Sequence, residues 1–325
     1  MNEILALAAD NLISPIILCF ALGLIAAFAR SDLSIPEAVA RGMSIYLLFA
    51  IGFKGGAGVA AHGVDTTLIL SLVAGTVLSF GLPVIAFLLL KILTNFDNIN
   101  RAAVAAHYGS ISIVTFVAAT SVLESRAIDS EGYMVAVAAI MEAPAIMSAL
   151  WLLSRSGGQG QADGALYGEI LTNGSIVLLG GSFIIGAITG EEGLTMISSF
   201  IVAPFQGVLC LFLLDMGLVA GRGLRDSRGD LGPGAVAFGV IMPPIGAAFG
   251  LVLALLVGLS AGGAALLMVL SASASYIAVP AAMRVALPEA KPSIYLTLSL
   301  GITFPFNLVI GIPIYAAIAT QVVGG

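Results

Sequence analysis

Apolar residues fill this chain in long blocks, separated by short clusters of Gly, Pro, Asn and charged residues. Runs of 18 or more are long enough to cross a bilayer as helices. Ten such spans are predicted, at 13–30, 36–60, 66–93, 98–123, 131–154, 172–190, 193–222, 233–258, 262–285 and 293–321. The expected fold class is an all-α polytopic membrane protein. The stretch Ser154 to Asp163, reading SRSGGQGQAD, is the one Gly/Gln/Ser-rich linker. It separates a five-span half at 1–153 from a second at 172–325, with a linker at 154–171.

The fourth and ninth spans carry the most polar residues. The fourth contains Ser110-Ile-Ser112-Ile-Val-Thr, and the ninth contains Ser273-Ala-Ser275-Tyr-Ile-Ala, at an offset of 163 residues. Gly23 matches Gly186 at the same offset, Gly52-Phe-Lys-Gly-Gly56 matches Gly217-Leu-Val-Ala-Gly221 at 165, and Glu142-Ala-Pro144 matches Thr303-Phe-Pro305 at 161. The order and near-constant offset point to a duplication. An odd number of spans per copy places the second copy inverted in the membrane, which provides two near-equivalent states, one open to each side.

Composition agrees with this reading. The chain is 59% hydrophobic and only 9% charged, against about a quarter charged in soluble domains. No soluble domain and no nucleic-acid partner are expected; the lipid bilayer is. The N-terminus has Glu3 and Asp10 but no basic segment, so it does not read as a cleavable signal. Cys19 and Cys210 lie in apolar runs and read as packing residues. His62 and His107 lack the spacing of a metal site. Placement of the twelve Lys and Arg is more telling than the net charge of -6. Ten of them, Arg30, Arg41, Lys91, Arg101, Arg155, Arg222, Arg225, Arg228, Arg284 and Lys291, fall on one side, leaving Lys54 and Arg126 for the other. Basic loops stay inside, so both termini are expected outside, in the periplasm of a bacterial inner membrane, with the linker and the loop 222–228 in the cytoplasm.

Irregular backbone at membrane depth must line a cavity or pack against protein. A half-helix that begins there presents free N–H groups and a positive dipole end, and serine hydroxyls donate to an anion or offer oxygens to a cation. The two motifs therefore suit a small anion beside a hard cation such as Na+. The plain alternative is that these serines bond to their own helices; their recurrence in register weighs against it. Glu142 lies mid-span, where a carboxylate costs roughly 3 kcal/mol and is a functional candidate by default. Asp215 is also mid-span, and Lys54 lies in the corresponding span, so the two are candidates for a buried ion pair. The run Thr303-Phe-Pro-Phe-Asn307 predicts a bend in the tenth span.

These motifs resemble the SbtA-type sodium-dependent bicarbonate transporters of cyanobacteria and other bacteria. The resemblance is carried by His107-Tyr-Gly-Ser-Ile-Ser-Ile-Val-Thr-Phe116, by Ser271 to Arg284 and by Leu287 to Asn307, and it runs from about residue 14 to 320. It implies a gate domain at about 13–60 and 172–222 and a mobile core domain at about 66–153 and 233–321. It also implies an elevator-like motion, a homotrimer and, in cyanobacterial members, a PII-like regulatory protein on the cytoplasmic face. The short glycine-rich linker departs from the longer loop of many cyanobacterial members, which bears against regulation through that loop. Carried over by motif, the substrate-binding residues are Gly109, Ser110, Ser112, Ser271, Ser273, Ser275 and Tyr276, and the cation-binding candidates are Glu142, Thr303, Ser110 and Ser273. No cofactor is implied beyond transported Na+.

The leading expectation is Na+-coupled bicarbonate symport; a transporter of another small anion or carboxylate is the alternative. A membrane enzyme is disfavoured, because neither a metal-ligand cluster nor a paired-aspartate protease pattern is present. A passive channel is disfavoured by the duplicated, interrupted spans.

Overall fold

A computed structural model describes residues 13–63, 65–155, 172, 174–226 and 231–323. Beyond Arg155, the expected linker lies outside the described residues, as does Arg228 of the basic loop. The described secondary structure is helical: α1 (Pro15–Phe28), α2 (Glu37–His62), α3 (Thr66–Leu93), α4 (Asn98–Gly109), α5 (Ile113–Ser125), α6 (Met134–Ile140), α7 (Glu142–Arg155), α8 (Gly174–Ile201), α9 (Phe205–Asp226), α10 (Pro233–Val257), α11 (Ala261–Ala272), α12 (Ala278–Ala286) and α13 (Pro292–Val323). Among the described residues, eight helices or consecutive helix pairs are long and apolar enough to cross a membrane, and α1 and α11 are shorter apolar helices. The chain is a multi-pass membrane protein.

Two expected boundaries shift. The expected end of the sixth span at 190 falls on Gly190, where α8 divides into two helical pieces, and the seventh span starts later than expected, because the second piece runs to Ile201 and α9 begins only at Phe205. Gly190, at φ 61° and ψ −151°, leaves the helical conformation and separates the two pieces, a conformation open essentially to glycine alone. The fifth span is broken at Met141 into α6 and α7. Pro144 has no N–H to offer the carbonyl one turn back, and Ser79 of α3 donates instead to the neighbouring Met141 carbonyl at 2.5 Å.

Helix α1 packs along α9, and α2 along α8. Glycines permit both contacts. A Cβ on Gly23 would strike the Leu214 carbonyl and one on Gly217 the Phe20 carbonyl; likewise Gly186 meets the Phe53 carbonyl and Gly56 the Phe183 carbonyl. Phe20 and Phe183 are 163 residues apart, whereas Phe53 and Leu214, like Gly56 and Gly217, are 161 apart. The glycine pattern in the sequence had suggested 165 for this span. Glycines four apart superpose equally well after a slip of one turn, and the symmetric contacts match the spacing of 161. Lys54 and Asp215 are likewise 161 residues apart.

Gly56→Val should therefore be severely destabilising, because helix backbone rather than a movable side chain fills the space a new side chain needs. The expected cost is at least the roughly 1–3 kcal/mol of overpacking, read as a lower melting temperature of the detergent-solubilised protein. An unchanged melting curve would refute the close approach of α2 and α8.

The remaining helices surround α4 and α11. These two are buried, each has 12 residues, and each is capped by a side chain 163 residues from its counterpart. Asp97 accepts from the Asn100 N–H at 2.7 Å and Ser260 from the Gly263 N–H at 3.1 Å. Helix α4 packs on α3 and α7, while α11 packs on α10 and the end of α13.

Candidate functional site

Both helices stop inside the protein. Helix α4 ends at Gly109 and α5 begins at Ile113; α11 ends at Ala272 and α12 begins at Ala278. Ser110 and Ser273 close the first member of each pair with nearly the same backbone, φ −85°, ψ 161° and φ −84°, ψ 165°. The two extended breaks cross. The Ser112 N–H donates to Ser273 Oγ at 2.9 Å, and the Ser275 N–H donates to the His107 carbonyl at 2.7 Å. Each break is thus pinned by the other, and all five of these residues are buried.

The side chains fall into two groups. Ser110 Oγ donates to Glu142 Oε2 at 2.5 Å. Glu142 is the first residue of α7, where the helix dipole favours a negative charge. Ser112 Oγ caps α5, accepting from the Thr115 N–H at 3.2 Å and from Thr115 Oγ1 at 2.8 Å. Ser275 Oγ accepts a long bond from the Val279 N–H at 3.5 Å. Tyr276 Oη is buried without a hydrogen bond of good geometry, and Ser112 is the nearby polar side chain. Ser112, Ser275, Tyr276 and Glu142, with Ile111, Ile113 and Ile277, enclose a cavity of about 10 Å³, room for one water-sized particle.

Gly109, Ser271 and Thr303 do not line that cavity. Gly109 lets α4 rest on Pro83 of α3. In the second half Gly246 of α10 rests against the Ser271 carbonyl and Ala272; Gly246 lies 163 residues after Pro83, and Ala272 163 after Gly109. Ser271 bonds back to the Leu267 carbonyl at 2.8 Å, the plain role of a serine in a membrane helix. Thr303 shares a 2.6 Å hydrogen bond with the Tyr108 hydroxyl and donates to the Gly239 carbonyl at 2.7 Å, joining three helices. The expected bend around Thr303 takes the form of two π-helical stretches, 297–303 and 307–311, a distortion frequent at functional sites.

Asn307 has a structural part that its sequence motif did not announce. Its Nδ2 donates to the Ala272 carbonyl at 2.8 Å and holds the end of α11 in place. A buried amide within an apolar span was the available signal. The expected Lys54–Asp215 pair does not form. Lys54 instead donates to Glu124 at 2.5 Å.

The arrangement offers two kinds of ligand group. The first turns of α5 and α12 present N–H groups with no partner inside their helices, flanked by hydroxyls, which suits an anion. Glu142 and the serine oxygens suit a hard cation. No Lys or Arg lines the cavity.

A family model described as the Na+-dependent bicarbonate transporter superfamily matches residues 15–320. A search of curated proteins finds no match. The family is one of transporters, not enzymes, and its substrates are bicarbonate and Na+. With the match spanning nearly all of the buried helices and both interrupted ones, the chain belongs to the Na+-dependent bicarbonate transporter superfamily.

Proposed function

We propose that this protein is a Na+-coupled bicarbonate symporter working by alternating access. The observation that carries the reading is the crossing of two interrupted helices beside a buried carboxylate, joined by the Ser112–Ser273 and Ser275–His107 bonds. The anion is assigned to the N-terminal ends of α5 and α12, and Na+ to Glu142 and Ser110. The cavity of about 10 Å³ suits an ion of water size; bicarbonate, with several heavy atoms, requires the two breaks to part. The bonds between them then act as a closure that substrate must replace.

The repeated offsets and equivalent caps support an inverted five-plus-five duplication. Helices α1, α2, α8 and α9 are assigned to a gate domain and the others to a core that moves against it as an elevator, within a homotrimer. The crowding of Lys and Arg supports an orientation with the loop after α9 in the cytoplasm of a bacterial inner membrane. That loop, with Arg222 and Arg225, is the surface offered to a PII-like regulator.

Reconstituted protein should take up labelled bicarbonate when Na+ is present outside and lose that uptake when choline replaces it. Uptake indifferent to the replacement would remove the coupling.

A further inference from the structure

Near its end, α5 reaches the helices assigned to the gate. Glu124 accepts from Lys54 of α2 at 2.5 Å, and Ser121 accepts from Gln206 of α9 at 2.6 Å. Ser121 and Glu124, three residues apart, share a face of α5. Lys54 also stands over the Phe205 ring, 5.6 Å from its centroid. Beside the ion pair is a cavity of about 150 Å³, lined in part by Lys54, Glu124, Thr120, Phe116 and Leu266. Phe116, Thr120 and Glu124 form one row along α5, four residues apart, and Ser112 is the next member of that row. From Glu124 to Ser112 the row spans about 18 Å of helix. Buried Phe116 fills the last turn before the crossing.

The side chains of Lys54 and Glu124 are 27% and 46% exposed, so water reaches the pair and it holds weakly. A weak pair adds little to stability, yet this one lines a cavity that reaches Phe116, one turn of α5 from Ser112. We infer that this cavity is the access route from the face bearing residues 126–133, and that the Lys54–Glu124 pair is its gate. When the pair parts, the ammonium faces an incoming small monovalent anion and the carboxylate its alkali cation. What passes through rests on the transport reading; where the route runs rests on the pair, the row and the cavity.

The test uses a Cys19→Ser/Cys210→Ser chain carrying Thr120→Cys, in membrane vesicles whose exposed face is the one bearing 126–133. A membrane-impermeant methanethiosulfonate should label Thr120→Cys from that face and block Na+-dependent bicarbonate uptake. Adding Glu124→Gln should speed labelling roughly two- to fivefold, as for a partly exposed pair. The charge-swapped Lys54→Glu/Glu124→Lys chain should return to the slow rate. No labelling from that face, equal rates with and without Glu124→Gln, or labelling that leaves uptake intact would each overturn the assignment. Labelling rates do not depend on which ion is carried. Failure of the transport reading would appear separately, as absent Na+-dependent uptake in the unlabelled chain.

Discussion

Ser273→Leu is expected to leave the protein inserted in the membrane and to reduce bicarbonate uptake to that of empty liposomes. Ser273 Oγ accepts the Ser112 N–H at the crossing of the two breaks and donates to the Leu270 carbonyl at 2.9 Å within its own helix end. Leucine cannot accept. The buried Ser112 N–H then stands unpaired, at about 1–3 kcal/mol. The larger side chain adds roughly 1–3 kcal/mol of overpacking. The combined cost falls on the region where the breaks must separate and rejoin, so transport suffers more than insertion, which the apolar spans direct. Ser273→Ala loses the acceptor without the crowding and should keep partial uptake. Wild-type uptake by Ser273→Leu, at equal amounts in the membrane, would remove Ser273 from the site.

The second large effect is expected at Glu142. Its carboxylate accepts from Ser110 and borders the cavity between the breaks. Glu142→Gln keeps the shape and an acceptor for the Ser110 hydroxyl but removes the charge. The Na+ concentration for half-maximal uptake should rise about tenfold or more, equivalent to at least about 1.4 kcal/mol of cation affinity. Maximal uptake at saturating Na+ should change less. Transport kinetics across a Na+ titration test this, and an unchanged half-saturation with normal expression would assign Glu142 to tying down the break at Met141 alone.

Much of the architecture could be read from apolar runs, because each span is long and its neighbours are set off by Gly, Pro or charge. Ser110 and Ser273, paired in the sequence by their offset, are both the closing residues of helices of equal length. Gly190 beside two glutamates marks the break inside α8, but hydropathy did not show that a further helical piece runs on to Ile201. Glycine spacing could not fix the register of α2 against α9, since a slip of one turn preserves the pattern. The partner of Lys54 was illegible because Glu124 is 70 residues away and meets it only through the fold. Within the candidate site, sequence named the residues but not their tasks. Ser271 bonds within its helix and Gly109 supports packing, while Asn307 clamps Ala272.

Anion and cation groups this close together imply that each ion strengthens the binding of the other by the same factor. Equilibrium binding of labelled bicarbonate to the purified protein across a Na+ titration tests this most directly. The bicarbonate Kd is expected to fall as Na+ rises, and the Na+ Kd to fall by an equal factor with bicarbonate present. A bicarbonate Kd that does not change with Na+ would contradict a shared site at the crossing of the two broken helices.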